Sequence, residues 1–198
     1  MKMSGRSVLI LGGARSGKSA LAQEMAQQFG EKVLFVATAE PLDDEMRSRI
    51  EIHKINRPRG WRTLEATVGI GEEIIAQIAD AELVLIDCVT VLVSNVMFSG
   101  EGTDTLEAGQ PDYASAEKKV IAEIEGIIKC LDSTQASFII VSNEVGMGLV
   151  PVHESDTAGR AGRIYRDLLG KANQLLAQRA DDVYLLIAGI PWQLKGRA

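Results

Sequence analysis

Two cysteines in 198 residues, Cys88 and Cys130, are too few for a disulfide framework or a thiolate zinc site. Both stand among apolar neighbours, which suits buried free thiols. Histidine is as scarce, with only His53 and His153. No apolar run approaches the ~20 residues that span a bilayer, and Met1 to Ser7 lacks the apolar core of a signal peptide. The chain therefore reads as soluble and cytoplasmic, with no membrane span. Positive charge is in deficit, 21 Lys and Arg against 27 Asp and Glu, for a net charge of −6. That argues against a broad basic face for nucleic acid and leaves room only for a local phosphate pocket. Internal repeats and low-complexity linkers are also missing. Hydrophobic residues are not in short supply: they make up 46% of the chain, enough to bury the core of one domain over residues 1–198.

Five short apolar runs alternate with helical patterns: Val8–Leu11, Val33–Ala37, Leu83–Ile86, Phe138–Val141 and Val183–Ala188. Their near-continuous β-branched and leucine content predicts strands covered on both faces, hence a mostly parallel sheet with helices on both sides. Helical spacing runs through Ala116–Leu131, again through Ile164, Leu168, Leu169, Ala172, Leu175 and Leu176, and more briefly over Gly71–Ala79. Phe98 to Pro111, rich in glycine and acids, reads as a surface loop. The fold class is α/β, doubly wound, with ligands expected at the carboxyl ends of the strands.

The first run leads straight into Gly12-Gly13-Ala14-Arg15-Ser16-Gly17-Lys18-Ser19, a G-x-x-x-x-G-K-S phosphate-binding loop. Good helix formers, Ala20 to Ala26, follow it. A strand, a glycine loop and a helix start are the context this chemistry needs. The glycines let successive N–H groups turn inward to phosphate oxygens, and the helix N-terminus adds its dipole. Lys18 can then reach the β- and γ-phosphates, and the Ser19 hydroxyl can ligate Mg²⁺. Asp87, at the end of Leu83-Val84-Leu85-Ile86-Asp87, fits the second magnesium-associated element of such proteins. Ser142-Asn143-Glu144-Val145-Gly146-Met147-Gly148 closes another strand where a substrate should sit.

After the second strand, Pro41 and the acids Asp43, Asp44 and Glu45 suit the first turn of a helix running to about Lys54. It would carry Met46, Ile50 and His53 on one stripe. Arg49, Lys54, Arg57, Arg59 and Arg62 surround His53, an unusually basic setting in an acidic chain. His53 is open to two readings, a helix-end histidine that packs or caps, or a phosphate contact or nucleophile. Nearby cations would lower its pKa and keep its imidazole neutral. His153, in a Gly- and Asp-containing loop, reads as solvent-exposed.

Six segments in order resemble the bifunctional adenosylcobinamide kinase and adenosylcobinamide-phosphate guanylyltransferase family of cobalamin biosynthesis. They are GGARSGKS (Gly12–Ser19), LDDEMRSRIEIHK (Leu42–Lys54), RPRGWRTLEA (Arg57–Ala66), SNEVGMGLVP (Ser142–Pro151), YRDLLGKANQLLA (Tyr165–Ala177) and DDVYLLIAGIP (Asp181–Pro191). The resemblance implies a three-layer P-loop NTPase fold of the RecA-like type and two reactions. ATP or GTP phosphorylates the aminopropanol hydroxyl of adenosylcobinamide. GTP then donates GMP to a histidine, and adenosylcobinamide phosphate takes it up as adenosylcobinamide-GDP. The guanylylated histidine falls on His53. Guanine-nucleotide contacts fall on the P-loop, Ala37-Thr38-Ala39, Lys54-Ile55-Asn56-Arg57, Glu65 and Asp87. The resemblance also implies a homotrimer. One segment departs from the family pattern: Val152 to Gly162 is longer and richer in glycine, and reads either as a loop bordering the corrinoid pocket or as a surface insertion. A P-loop metabolite kinase, or a nucleotide-dependent switch without guanylyl transfer, would share the P-loop but not need His53.

Overall fold

A computed structural model describes residues 5–40, the single positions 44, 47, 51 and 54, and residues 57–99, 112–148 and 157–196. The elements in chain order are β1 (Ser7–Gly12), α1 (Lys18–Gln27), β2 (Val33–Ala37), β3 (Arg62–Glu65), α2 (Ile70–Gln77), β4 (Leu83–Asp87), α3 (Val89–Phe98), α4 (Tyr113–Ser133), β5 (Ser137–Val141), α5 (Thr157–Arg179), β6 (Asp182–Ile187) and β7 (Ile190–Lys195). The strands form one sheet in the order β3-β2-β4-β5-β1-β6-β7. Every neighbouring pair is parallel except β6 with β7, which is antiparallel.

Side chains alternate across the sheet, so each central strand feeds two cores. Leu9, Leu34, Val84, Ile86, Phe138 and Ile140 join α2, α3, α4 and α5 on one face. Val8, Ile10, Phe35, Leu85 and Ile139 join Ala22 and Ala26 of α1, with Trp61, on the other. The sheet is thus the middle of three layers. All five expected strands are present, and both faces are covered as their apolar content demanded.

Three elements depart from the sequence expectation. β3 and β7 are edge strands: only Leu64 of β3 is buried, and β7 carries Pro191 and is exposed throughout. Neither has the buried apolar run that marks a central strand. The third is α3, Val-Thr-Val-Leu-Val-Ser-Asn-Val-Met-Phe, whose β-branched content favours a strand but which lies as a helix against the sheet. The expected loop from Val152 to Gly162 is corrected in part: α5 begins at Thr157, so Gly159 and Gly162 lie within a helix. In the stretch expected to be helical up to Lys54, the described positions Asp44, Arg47, Glu51 and Lys54 all have helical backbone. His53, His153, Arg49, Ile55, Asn56 and most of the stretch from Phe98 to Pro111 lie outside the described residues.

Candidate nucleotide site

At the carboxyl ends of β1, β4 and β5 the structure has a cavity of about 590 Å³. The P-loop from Ala14 to Ser19 forms one wall, and Asp87, Cys88, Val141 and Asn143 form the other. The expected glycine geometry is there: Gly17 caps α1 with φ 96°, and Arg15, though not glycine, holds φ 56°. Lys18 is buried at 7% exposure, and its ammonium spans the loop by donating to the Gly13 carbonyl at 2.7 Å. Burial lowers the Lys18 pKa, while Cys88 and Asp87 pull it back up. Anionic phosphate oxygens are what such a partly desolvated cation lacks.

Two later parts of the chain brace the loop. The Gly12 carbonyl accepts the Glu144 N–H at 3.0 Å, just past β5. From the β6–β7 turn, the Gly189 N–H donates to the Ser16 carbonyl at 3.0 Å. Ala188 and Gly189 both have positive φ, as a two-residue hairpin turn requires. Because C=O and N–H point oppositely across a trans peptide, anchoring the Ser16 carbonyl also fixes the direction of the Gly17 N–H.

A second cluster lies beside the cavity. Register pairs Ala37 with Glu65 on one side and with Asp87 on the other, so these residues form one row across β3, β2 and β4. Strand spacing puts Glu65 and Asp87 about 10 Å apart along that row. Arg57 lies over the Phe35 ring at 3.6 Å and donates to Thr63 Oγ1 at 2.6 Å. Among the described residues, its buried Nε has no partner. Burial lowers the Arg57 pKa, against the opposing pull of Glu65 and Asp87. Lys54 pairs with Glu65 at 3.0 Å.

Of the residues expected at the site, the cavity therefore gathers Ala14 to Ser19 and Asp87, and the adjoining cluster gathers Ala37, Lys54, Arg57 and Glu65. The Thr38 hydroxyl is turned inward, where it bonds the backbone of Cys88.

Sequence reasoning missed a polar network that holds the strand ends. Asn143 N–H donates to Thr90 Oγ1 at 2.7 Å, and Tyr165 Oη donates to the Thr90 carbonyl at 3.1 Å. Asn173 bridges Ser142 and the Asn143 carbonyl, and Asn95 donates to the Thr38 carbonyl at 2.8 Å. Lone amides on apolar helix faces were the available signal, since a buried amide must find partners. Cys88 caps α3; its peptide bond with Asp87 is cis, and burial raises its thiol pKa to about 11. On α5, Arg166 donates to the Gly146 carbonyl, tying down the Ser142–Gly148 segment.

Comparison with known proteins agrees with this geometry. The family model for cobinamide kinase / cobinamide phosphate guanyltransferase matches residues 8–194. The chain is 40% identical over 188 residues to the bifunctional adenosylcobalamin biosynthesis protein CobU of Escherichia coli K12, covering 95% of this chain and 99% of that protein. It is 35% identical to the bifunctional adenosylcobalamin biosynthesis protein CobP of Pseudomonas aeruginosa, covering 95% and 96%. Among solved structures it is similar to the flagellar accessory protein FlaH of Methanocaldococcus jannaschii, with a TM-score of 0.52 at 12% identity over 98% of this chain and 80% of that one. That likeness speaks for the fold alone.

Proposed function

The chain belongs to the cobinamide kinase / cobinamide phosphate guanyltransferase family, and from that premise we propose that it carries out both reactions in one domain. In the first, ATP or GTP gives its γ-phosphoryl group to the aminopropanol hydroxyl of adenosylcobinamide. In the second, an imidazole nitrogen of His53 attacks the α-phosphorus of GTP. A P–N bond forms, the bond from the α-phosphorus to its bridging oxygen breaks, and pyrophosphate leaves. The phosphate of adenosylcobinamide phosphate then attacks the same phosphorus and releases His53, giving adenosylcobinamide-GDP. Splitting the transfer in two lets each displacement use a good nucleophile.

The observation that carries this reading is the cavity holding Lys18, Ser19 and Asp87, with the Arg57, Lys54 and Glu65 row beside it. Lys18 and the loop N–H groups hold the polyphosphate. Arg57, stacked and short of one partner, faces charge that develops on the transferring phosphoryl group. The Ser19 hydroxyl and Asp87 carboxylate are hard oxygen donors suited to Mg²⁺, with phosphate oxygens and water completing its shell. When bound, Mg²⁺ neutralises charge on the polyphosphate and leaving pyrophosphate.

Among the described residues, no helix is long and apolar enough to cross a membrane; a place in the cytoplasm is part of this proposal. A homotrimer, which the family resemblance implies, is part of the same proposal. Ile190, Trp192 and Leu194 on β7 are exposed and available to such an assembly.

The test is GTP labelled at the α-phosphate, incubated with Mg²⁺ and the protein. Acid-labile label should stay on the wild type and be absent from His53→Ala, while His53→Ala still phosphorylates adenosylcobinamide. No label on folded, GTP-binding wild type would overturn guanylyl transfer and favour a metabolite kinase or a switch.

A further inference from the structure

Thr38 is the first residue past β2, and its side chain is fully buried at 0% exposure. A buried hydroxyl must be satisfied, and this one is satisfied twice on a single residue. Thr38 Oγ1 donates to the Cys88 carbonyl at 2.8 Å and accepts the Cys88 N–H at 3.0 Å. Cys88 directly follows Asp87 and opens α3, where its carbonyl also accepts the Leu92 N–H at 3.2 Å. The Thr38 backbone is anchored in turn. Its carbonyl accepts from Asn95 Nδ2 at 2.8 Å, and the same amide reaches the Thr67 carbonyl at 3.3 Å. Register sets Ala37 beside Asp87, so this clamp closes one residue beyond the last β2–β4 pair.

Ladder hydrogen bonds hold a strand only as far as pairing continues. At Asp87 the pairing ends, yet its carboxylate lines the cavity and is one of the two oxygen donors proposed above for Mg²⁺. We propose that Thr38 is the positioning residue for Asp87. It continues the β2–β4 ladder through a side chain, and so fixes the backbone from which the Asp87 carboxylate is presented. Threonine suits this task for two reasons. Its hydroxyl copies both functions of a peptide group, and its β-branch restricts χ1. Thr38 touches no reacting atom in this role. Its contribution is to hold Asp87 ready for Mg²⁺, so it deepens the reading of Asp87 given above and rests on it.

The clamp makes a specific demand on the gain in nucleotide affinity that Mg²⁺ brings. The readout is the dissociation constant of guanosine 5′-(α,β-methylene)triphosphate, which cannot transfer GMP, measured by calorimetry in EDTA and in excess Mg²⁺. The wild type should bind more tightly with Mg²⁺. Thr38→Val keeps the shape but leaves the Cys88 N–H without its acceptor. Whatever its affinity in EDTA, it should lose at least tenfold of the gain from Mg²⁺. Thr38→Ser keeps both hydrogen bonds and should retain that gain to within about threefold. Asp87→Asn, with Thr38 intact, should lose it outright.

Thr38→Val that keeps the full Mg²⁺ gain while Asp87→Asn loses it would overturn the clamp and leave the Asp87 reading standing. If Asp87→Asn also keeps the gain, the Asp87 reading fails and takes the clamp with it. A general loosening of the fold, by contrast, would weaken binding equally with and without Mg²⁺, and that result too would overturn the proposal. Should Thr38→Val fail to fold, Thr38→Ser decides, since loss of its Mg²⁺ gain contradicts a role carried by the hydroxyl.

Discussion

Lys18→Met should abolish both phosphoryl and guanylyl transfer while leaving the fold as stable as before, or more so. The two effects have opposite physical origins. Removing one preorganised donor from a site of developing charge slows catalysis by roughly 10²–10³-fold, and in the proposed mechanism Lys18 brings a full charge to the β- and γ-phosphates. Its stability effect runs the other way, because Lys18 is buried in the free protein and its pKa is lowered by desolvation. Its bond to the Gly13 carbonyl only partly offsets that burial. Methionine fills similar space without a charge to desolvate. Melting temperature and the kcat/KM of each half-reaction, measured on one preparation, check both halves of the expectation. A Lys18→Met enzyme within tenfold of wild type in either reaction would mean that the P-loop lysine does not serve that reaction. A fall of several degrees in melting temperature would mean that the ammonium holds the loop together.

Gly12→Ala should cost much stability where Gly13→Ala costs almost none, although both glycines sit in the same motif. A Cβ on Gly12 would lie 2.6 Å from the Leu186 carbonyl oxygen and 2.6 Å from Ser16 Oγ, with Leu186 Cβ at 3.3 Å. Gly12 pairs with Leu186 in the β1–β6 ladder, so the obstacle is backbone held by a neighbouring strand. Relief requires β6 and the loop to move apart. Overpacking of this kind costs about 1–3 kcal/mol. For a chain of this size each kcal/mol is worth about 2–4 °C in Tm. Moving the loop also misdirects the N–H groups that cradle phosphate, so nucleotide affinity should fall with stability. A Cβ on Gly13 meets nothing within 4 Å. Thermal melts and nucleotide titrations of the two variants side by side check this, and equal behaviour would contradict the close packing of β1 against β6.

What the sequence made legible is what is local. The P-loop is a contiguous motif whose spacing alone dictates a loop between a strand and a helix. Asp87 was readable because the apolar run before it defines a strand and its carboxyl end. The five central strands could be read because burial on both faces leaves no polar alternation. β3 and β7 escaped because edge strands are selected by one neighbour only and carry no continuous apolar signal. α3 escaped because burial against the sheet overrode its β-branched residues. The Thr38–Cys88 clamp and the Asn173 bridge join residues 50 and 30 positions apart. No local pattern encodes such pairs; they follow from which strand ends up beside which. The stacking of Arg57 on Phe35 has the same origin.

The sheet order carries a consequence for how the protein comes to be made. β1 lies between β5 and β6, pairing Ser7 with Phe138 and Val8 with Asp182. At synthesis rates of about 5–20 residues per second, roughly 10–35 s separate the emergence of β1 from that of β6. Until β5 emerges the apolar Val8–Leu11 run has no permanent neighbour on either side, and until β6 follows it is paired on one side only. A nascent chain in this condition is a natural client for holding chaperones, and its folding is governed by long-range pairing. Codon choice or chaperone supply should therefore change the yield of active protein more than it would for a chain whose first strand finds its partners early.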